Sequence, residues 1–579
     1  MRKYYFTLAA TLFSASVFAQ TPFQKFVTEK LNSKTSSATE AKARRAQKSD
    51  LKLWGANLTS KMKAPAFRKA AGADTIITSQ PQGTLYKNWY QYSEGYYIFW
   101  GYILAGANDG NTQDFVIADD GSVYLKNPIG NFATNSWIKG YKATGDTIAF
   151  DLPQKIYSET TQDDDGNDET INISAYRMLL TTVDDPEEGS YKTYIPDSNS
   201  QTVKFVLRND SLFKAEPDVL LGMGETETGD WAGYGDWTND IHKVTDVADA
   251  PANPDVTDKY LIKHVLSDST IDYQVGKVAV EGNNIYLGGI NPNLPNHWVK
   301  GRIEGKKAIF DKQAYLGVDT VTLAHTYFIP TGKETKVEIF DDEEYPYDSV
   351  YAVKEIVFDY DATAKTLKST GGFVVNKGIK DINQQAEYFN PEIALWTEKP
   401  GVSEKPYIMD FMPYDEEYGY GGIQFVLSRL TDDGQYLNPE KLYYNLFIDD
   451  ELFTFYPDEY PEFETETTDI PYYHNGEDVS NYDDMFIIYF YTTGFQKMGI
   501  REVYIDDDGK RYESETAWIN ADGTTEGIKD AKLNAVRSFR GVTYTDLSGR
   551  QVAHPTKGLY IKTATLADGT VKTTKVILK

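Results

Sequence analysis

The chain has 579 residues, with 58 Lys and Arg against 86 Asp and Glu, and it contains no cysteine. A net charge of −28 opposes nucleic-acid binding, which needs clustered cations to displace counterions from phosphates. The missing thiols exclude disulfides, cysteine nucleophiles and a lipid-bearing cysteine.

The N-terminus reads as a secretory signal over residues 1–19: Arg2 and Lys3 precede an apolar run over 4–18, and Ala19 stands before Gln20. That run is too short for a spanning helix, which needs about 20 apolar residues. Residues 20–73 form a basic leader, partly helical or disordered. Within residues 20–70, 12 Lys and Arg meet 3 Asp and Glu, whereas residues 71–579 carry 44 against 83. Its basic stretch over 42–52, with Arg44 and Arg45, reads as a solvated segment. No later segment is apolar for long enough to cross a membrane as a helix; the richest run, residues 485–491, has strand length.

From about Asp74 onward, short runs of Tyr, Val, Ile, Phe and Thr alternate with Gly, Asp and Asn clusters, which predicts an all-β protein. Asp120-Gly121 between two apolar runs predicts a hairpin turn. The most informative pattern is an internal duplication. Ser122-Val-Tyr-Leu, Trp137-Ile-Lys-Gly140 and Gly145-Asp-Thr-Ile-Ala-Phe150 recur as Asn284-Ile-Tyr-Leu, Trp298-Val-Lys-Gly301 and Gly305-Lys-Lys-Ala-Ile-Phe310. A looser match sets Val203-Lys-Phe-Val-Leu207 against Glu355-Ile-Val-Phe-Asp359. Two β-modules follow, 74–250 and 257–396, separated by a stretch of linker composition over 246–255.

A repeated tryptophan before a Lys-Gly step makes Trp137 and Trp298 the candidate ligand-binding residues, as platforms for a sugar ring. The competing reading, a core anchor, is favoured by their position at strand starts and by the β-branched residue after each. Residues 403–520 have the length and strand spacing of one β-sandwich, similar to fibronectin type III and other immunoglobulin-like modules.

The tail, 527–579, contains Tyr544-Thr-Asp-Leu-Ser-Gly-Arg550, Lys557-Gly-Leu-Tyr-Ile561 and Lys575-Val-Ile-Leu-Lys579 in that order. These blocks resemble the type IX secretion C-terminal sorting domain of Bacteroidota, although the tail is shorter than is usual there. The resemblance implies a small terminal β-module, recognition by that export machinery and a place at the cell surface; the repeat modules likewise resemble those of multi-domain surface proteins of the same bacteria.

Chemistry is sparse. The histidines His242, His264, His297, His325, His474 and His554 are dispersed without zinc-ligand spacing. No phosphate-binding glycine loop occurs. Two acidic loops, at 163–169 and 506–510, depart from the EF-hand template and read as turns. No catalytic residue, metal site or cofactor is assigned. The leading expectation is a non-catalytic surface or secreted protein that binds a glycan or another protein, or acts as a spacer. The rivals are an extracellular hydrolase of polysaccharide or protein with a cleft of paired carboxylates, and a structural or adhesive subunit.

Overall fold

The computed structural model describes residues 47–48, 75–99, 102–162, 168–185, 189–267, 271–311, 313–340, 343–415, 419–431, 433–482, 485–491 and 494–523, and four strands beyond 538. The signal segment, nearly all of the leader, the acidic loop at 163–167, His554 and the Leu-Ser-Gly-Arg step at 547–550 lie outside the described residues. The protein is all-β: among the described residues the one helical element is the 3₁₀ turn Pro439–Lys441. Chain contacts divide it into two compact units, Met1–Thr257 with Gly276–Thr363 and Leu367–Pro391, and Asp258–Val275 with Ala364–Thr366 and Glu392–Lys579.

In the first unit, β1 (Thr84–Phe99), β2 (Tyr102–Ile117), β3 (Ser122–Lys126), β4 (Trp137–Lys142) and β5 (Thr147–Asp151) run as an antiparallel meander. Strands β6 (Thr202–Arg208), β7 (Ser211–Lys214) and β8 (Trp231–His242) continue it, and β8 returns to pair with β1. The result is a closed eight-stranded up-and-down barrel, which leaves no free edge along the closed wall and has an interior just wide enough for side chains to fill. Every strand contributes to one buried cluster, including Trp89, Phe115, Leu125, Ile138, Phe150, Phe205, Leu212 and Ile241. Between β5 and β6 the chain leaves the barrel for a second meander, Gln154–Gln162, Asp168–Asp185 and Gly189–Pro196.

The duplication is visible in the register. In the first copy Ser122 faces Tyr141 and Lys126 faces Trp137. In the second, β9 (Asn284–Gly288) lies on β10 (Trp298–Glu304) with Asn284 opposite Arg302 and Gly288 opposite Trp298. Next come β11 (Lys307–Phe310) and β12 (Ile356–Asp361), with Phe310 facing Ile356 as Phe150 faces Val203. The looser sequence match is therefore off by one residue. Buried Val203 and Phe205 correspond to buried Ile356 and Phe358, because a one-residue slip would turn each strand's apolar set to the other face. The excursion is repeated as well, by Ala314–Asp319, Ala324–Phe340 and Glu343–Ala352.

The second unit contains the sandwich. One sheet has the order β13 (Tyr407–Asp415), β14 (Tyr420–Val426), β18 (Met485–Phe490), β17 (Val479–Tyr482). The other has β16 (Glu451–Leu452), β15 (Leu442–Ile448) and β19 (Lys497–Ile505), with β20 (Arg511–Glu513) and β21 (Ala517–Asn520) both on β19. Leaving aside the two-residue strand Ile470–Pro471, which also pairs with β15, these are in chain order the first, second, sixth and fifth strands against the fourth, third, seventh and last. That matches the immunoglobulin arrangement of an A-B-E-D sheet facing a C′-C-F-G sheet. Ile423, Phe425 and Phe486 from one sheet and Leu442, Tyr444 and Ile500 from the other share one core. The tail forms its own four-stranded antiparallel sheet, with β22 (Phe539–Asp546) between β23 (Gln551–Val552) and β24 (Gly558–Leu566), and β25 (Val571–Leu578) outermost.

Candidate functional site

Trp137 and Trp298 are 4% and 1% exposed, so neither ring offers a face to a sugar. Each is pinned from outside the barrel wall by the segment that leads into its own copy. The Trp137 amide donates to the Ile77 carbonyl at 2.9 Å, and Asp249 forms the corresponding bridge to Trp298. Within the stretch over 246–255, Asp249 is the residue that bridges to Trp298. The Lys-Gly step has its own cause. A Cβ on Gly140 or Gly301 would stand 2.4 or 2.7 Å from the Ala149 or Ile309 carbonyl oxygen and 2.7 or 2.8 Å from Cδ1 of Phe150 or Phe310, so only glycine lets the following strand's backbone and ring come so close.

The useful residues of the repeat lie two positions further along the same face: Lys139 follows Trp137 by two residues, and Tyr124 and Lys126 face Lys139 and Trp137 across the pair. Strand alternation buries Val123, Leu125 and Ile138 inside the barrel and turns Tyr124 and Lys139, which face each other across β3 and β4, to the outside. There they line a groove of about 750 Å³ with Thr75, Ile77, Gln82, Asp119 and Asp120. The Lys139 ammonium sits 5.7 Å from the Tyr124 ring centroid, within cation–π range. Gln154 forms the floor. Its amide is fixed by three 2.7 Å bonds, accepting from the Lys139 N–H and donating to the Lys139 and Asp151 carbonyls. Asp120 accepts from the Ser122 N–H at 2.8 Å in the hairpin turn, and this bond holds its carboxyl below the usual range.

The second copy has the same pair, Tyr286 facing Lys300, at 5.9 Å. Here Tyr286 is 5% exposed and packs with Ala279, Trp298 and Val256, while the Lys300 N–H donates to Asp249 at 3.3 Å. The leading segment has closed over the position that stays open in the first copy.

The most perturbed carboxyls lie away from the groove. Asp236, on β8, is fully buried, and burial pushes its carboxyl up to about 7 although it accepts from Gly130 N–H and Asn239. The acidic turn at 506–510 is a closed structural unit. Asp506 accepts from the Asp508 and Lys510 amides and the Tyr512 hydroxyl, and Gly509 takes φ +78. Among the described residues no group of three or more His, Asp or Glu is placed to hold a metal ion.

Sequence spacing gave no sign that two distant histidines meet. His242 stacks on Tyr90 at 4.7 Å and His325 lies 5.3 Å from the same ring. The Tyr315 hydroxyl is 3.0 Å from His325 Nδ1. Asp109, 2% exposed, accepts from the Tyr90 hydroxyl and from the successive amides of Ile379 and Lys380 at 2.8 and 2.6 Å. The cluster fastens the second copy's 378–381 loop to the first copy's barrel. Burial lowers the His325 imidazole to about 4.

No protein-family model matches this chain, and no curated protein matches it either. No helix among the described residues is long and apolar enough to cross a membrane.

Proposed function

We propose that this is an exported, non-catalytic β-modular surface protein whose first barrel repeat binds an extracellular glycan in the groove over Tyr124 and Lys139. One observation carries the reading. The same Tyr–Lys pair lines a groove of about 750 Å³ in one copy, whereas in the other its tyrosine, Tyr286, is buried in a cluster against which Val256 packs. A half-buried aromatic ring flanked by fixed amide and carboxylate groups suits sugar rings, which pair an apolar face with hydroxyls; a groove of this size is in the range of small-ligand sites. Export rests on the signal-like N-terminus and on the tail's resemblance to a type IX sorting domain, and surface attachment on that resemblance alone.

A hydrolase would need paired carboxylates in a cleft, with one desolvated. The groove's two carboxylates, Asp119 and Asp120, are both exposed, whereas the desolvated Asp236 is sealed in the barrel. This contrast favours binding over catalysis. The test is a screen of the purified chain against immobilised glycans, followed by titration of the best ligand against wild type, Tyr124→Ala and Lys139→Glu. The reading expects a ligand whose binding both substitutions weaken by about tenfold or more, the 1–2 kcal/mol of one aromatic or charged contact. A bound glycan indifferent to both would remove the groove from the account.

A further inference from the structure

The basic stretch over 42–52 has a partner that its composition does not reveal. Gln47–Lys48 is a strand, and it pairs antiparallel with β2, Gln47 opposite Ala105 and Lys48 opposite Leu104. It meets the part of β2 that β3 does not reach. One flank of β2 is taken by β1 from end to end, with Phe99 opposite Tyr102 and Thr84 opposite Ile117. On the other flank β3 pairs only with Phe115, Val116 and Ile117, and Ala324 meets Asn111. Among the described residues, Gln47 and Lys48 are therefore what pairs with that flank between Tyr102 and Gly110. An open row of backbone N–H and C=O groups is a template for another strand. Leu104, on this row, is 6% exposed although it stands outside the cluster that fills the barrel.

We propose that residues 45–50 of the leader dock on this flank of β2 in the same chain, as an added edge strand. Continuing the observed register sets Arg45 opposite Ala107 and Asp50 opposite Tyr102. Backbone pairing supplies the affinity of strand addition and asks little of the side chains, so a segment without apolar alternation can serve. Charge favours the leader as occupant: residues 20–70 carry 12 Lys and Arg against 3 Asp and Glu, and residues 71–579 carry 44 against 83. The tether favours the leader of the same chain. Residues 49–74 join the strand to the segment fixed at Ile77, whose carbonyl accepts from the Trp137 amide, and a short flexible tether holds its end at an effective concentration in about the millimolar range. A second copy in dilute solution cannot match that. The docked leader is an edge guard: it occupies backbone groups that would otherwise pair with a strand of another chain.

The chain contains no cysteine, so an engineered disulfide reports the pairing without background. Antiparallel ladder partners have Cα atoms about 4.5–5.5 Å apart, within disulfide reach. The full chain carrying Gln47→Cys/Ala105→Cys, or Lys48→Cys/Leu104→Cys, is oxidised in dilute solution, resolved on a non-reducing gel and mapped by mass spectrometry. Gln47→Cys/Thr112→Cys, far out of register, is the control. The expected result is a link within one chain at both register pairs, formed at least about tenfold faster than in the control, as proximity in a ladder requires. Gln47→Pro/Lys48→Pro removes the backbone donor at both positions, whichever of them faces β2. It should speed trypsin cleavage after Arg45 by about tenfold, as expected for the loss of ladder bonds. The proposal is overturned if neither register pair oxidises, if the control links as fast, or if the proline variant is cleaved no faster than wild type. A disulfide that joins two chains would overturn it too, by making the edge a site for a second copy's leader.

Discussion

The two repeat copies share register, buried tryptophan and ring-on-glycine contact, and differ where the leading segment meets the Tyr–Lys pair. In the first copy residues 75–83 run alongside Tyr124 and leave a groove; in the second, Val256 packs against the cluster of Ala279, Tyr286 and Trp298, and Asp249 accepts from the Lys300 N–H. Duplication thus preserved what the barrel needs to fold, and it changed a surface feature by altering a segment outside the barrel wall. The inner face is constrained by close packing, and the outer face is free to differ.

The largest effects should fall on the shared features, and equally in both copies. Trp137→Ala and Trp298→Ala should each cost about 3–5 kcal/mol in denaturant unfolding, as expected for a buried aromatic cut back to a methyl. A small loss at either site would break the equivalence. Gly140→Ala and Gly301→Ala come next, at about 1–3 kcal/mol, because the added Cβ meets the Ala149 or Ile309 carbonyl oxygen and the Phe150 or Phe310 ring. Val256→Ala should cost only about 1–2 kcal/mol, the transfer value of its two methyls. It should also expose Tyr286, and the measurable sign is an increase in tyrosine accessibility to a collisional quencher. Unchanged accessibility would mean that Val256 is not the cover.

Protonation sharpens the contrast between barrel interior and inter-copy joint. The Asp236 carboxyl is raised to about 7 by burial. Its contribution is present below the usual carboxylate range near 3.8 and is lost as pH rises through about 7, so Asp236→Asn should flatten that loss. The His325 imidazole is lowered to about 4, so its contribution is present above about 6.5 and is lost as pH falls toward 4. His325→Gln should remove the acid-side loss while leaving the alkaline-side one. Unfolding curves across that pH range, in which the two variants change the same limb, would contradict the assignment.

Much of this architecture was legible because it rests on local chemistry. The blocks Ser122-Val-Tyr-Leu and Trp137-Ile-Lys-Gly140 already held the alternation that turns Tyr124 and Lys139 outward, yet the tryptophan drew attention to the buried position. Asp120-Gly121 gave its turn, and Gly121 takes φ +83 there. Barrel closure was not legible, since the pairing of β8 with β1 joins residues such as His242 and Tyr90 that no local pattern connects. For the same reason the pairing of Gln47 and Lys48 with Ala105 and Leu104 was invisible: a basic stretch reads as solvated until a ladder sets its backbone on a strand edge. The one bridge from Asp249 to Trp298 was likewise not legible, because composition does not say where a segment touches a strand.

The measurement that bears most directly on the account is a parallel titration of one glycan ligand into Tyr124→Ala and Tyr286→Ala, with folding of both checked by circular dichroism. The open first copy predicts that Tyr124→Ala loses binding while Tyr286→Ala binds as wild type does, although the latter, cut into a packed cluster, loses more stability. Equal loss of binding in both variants, or loss in Tyr286→Ala alone, would contradict it.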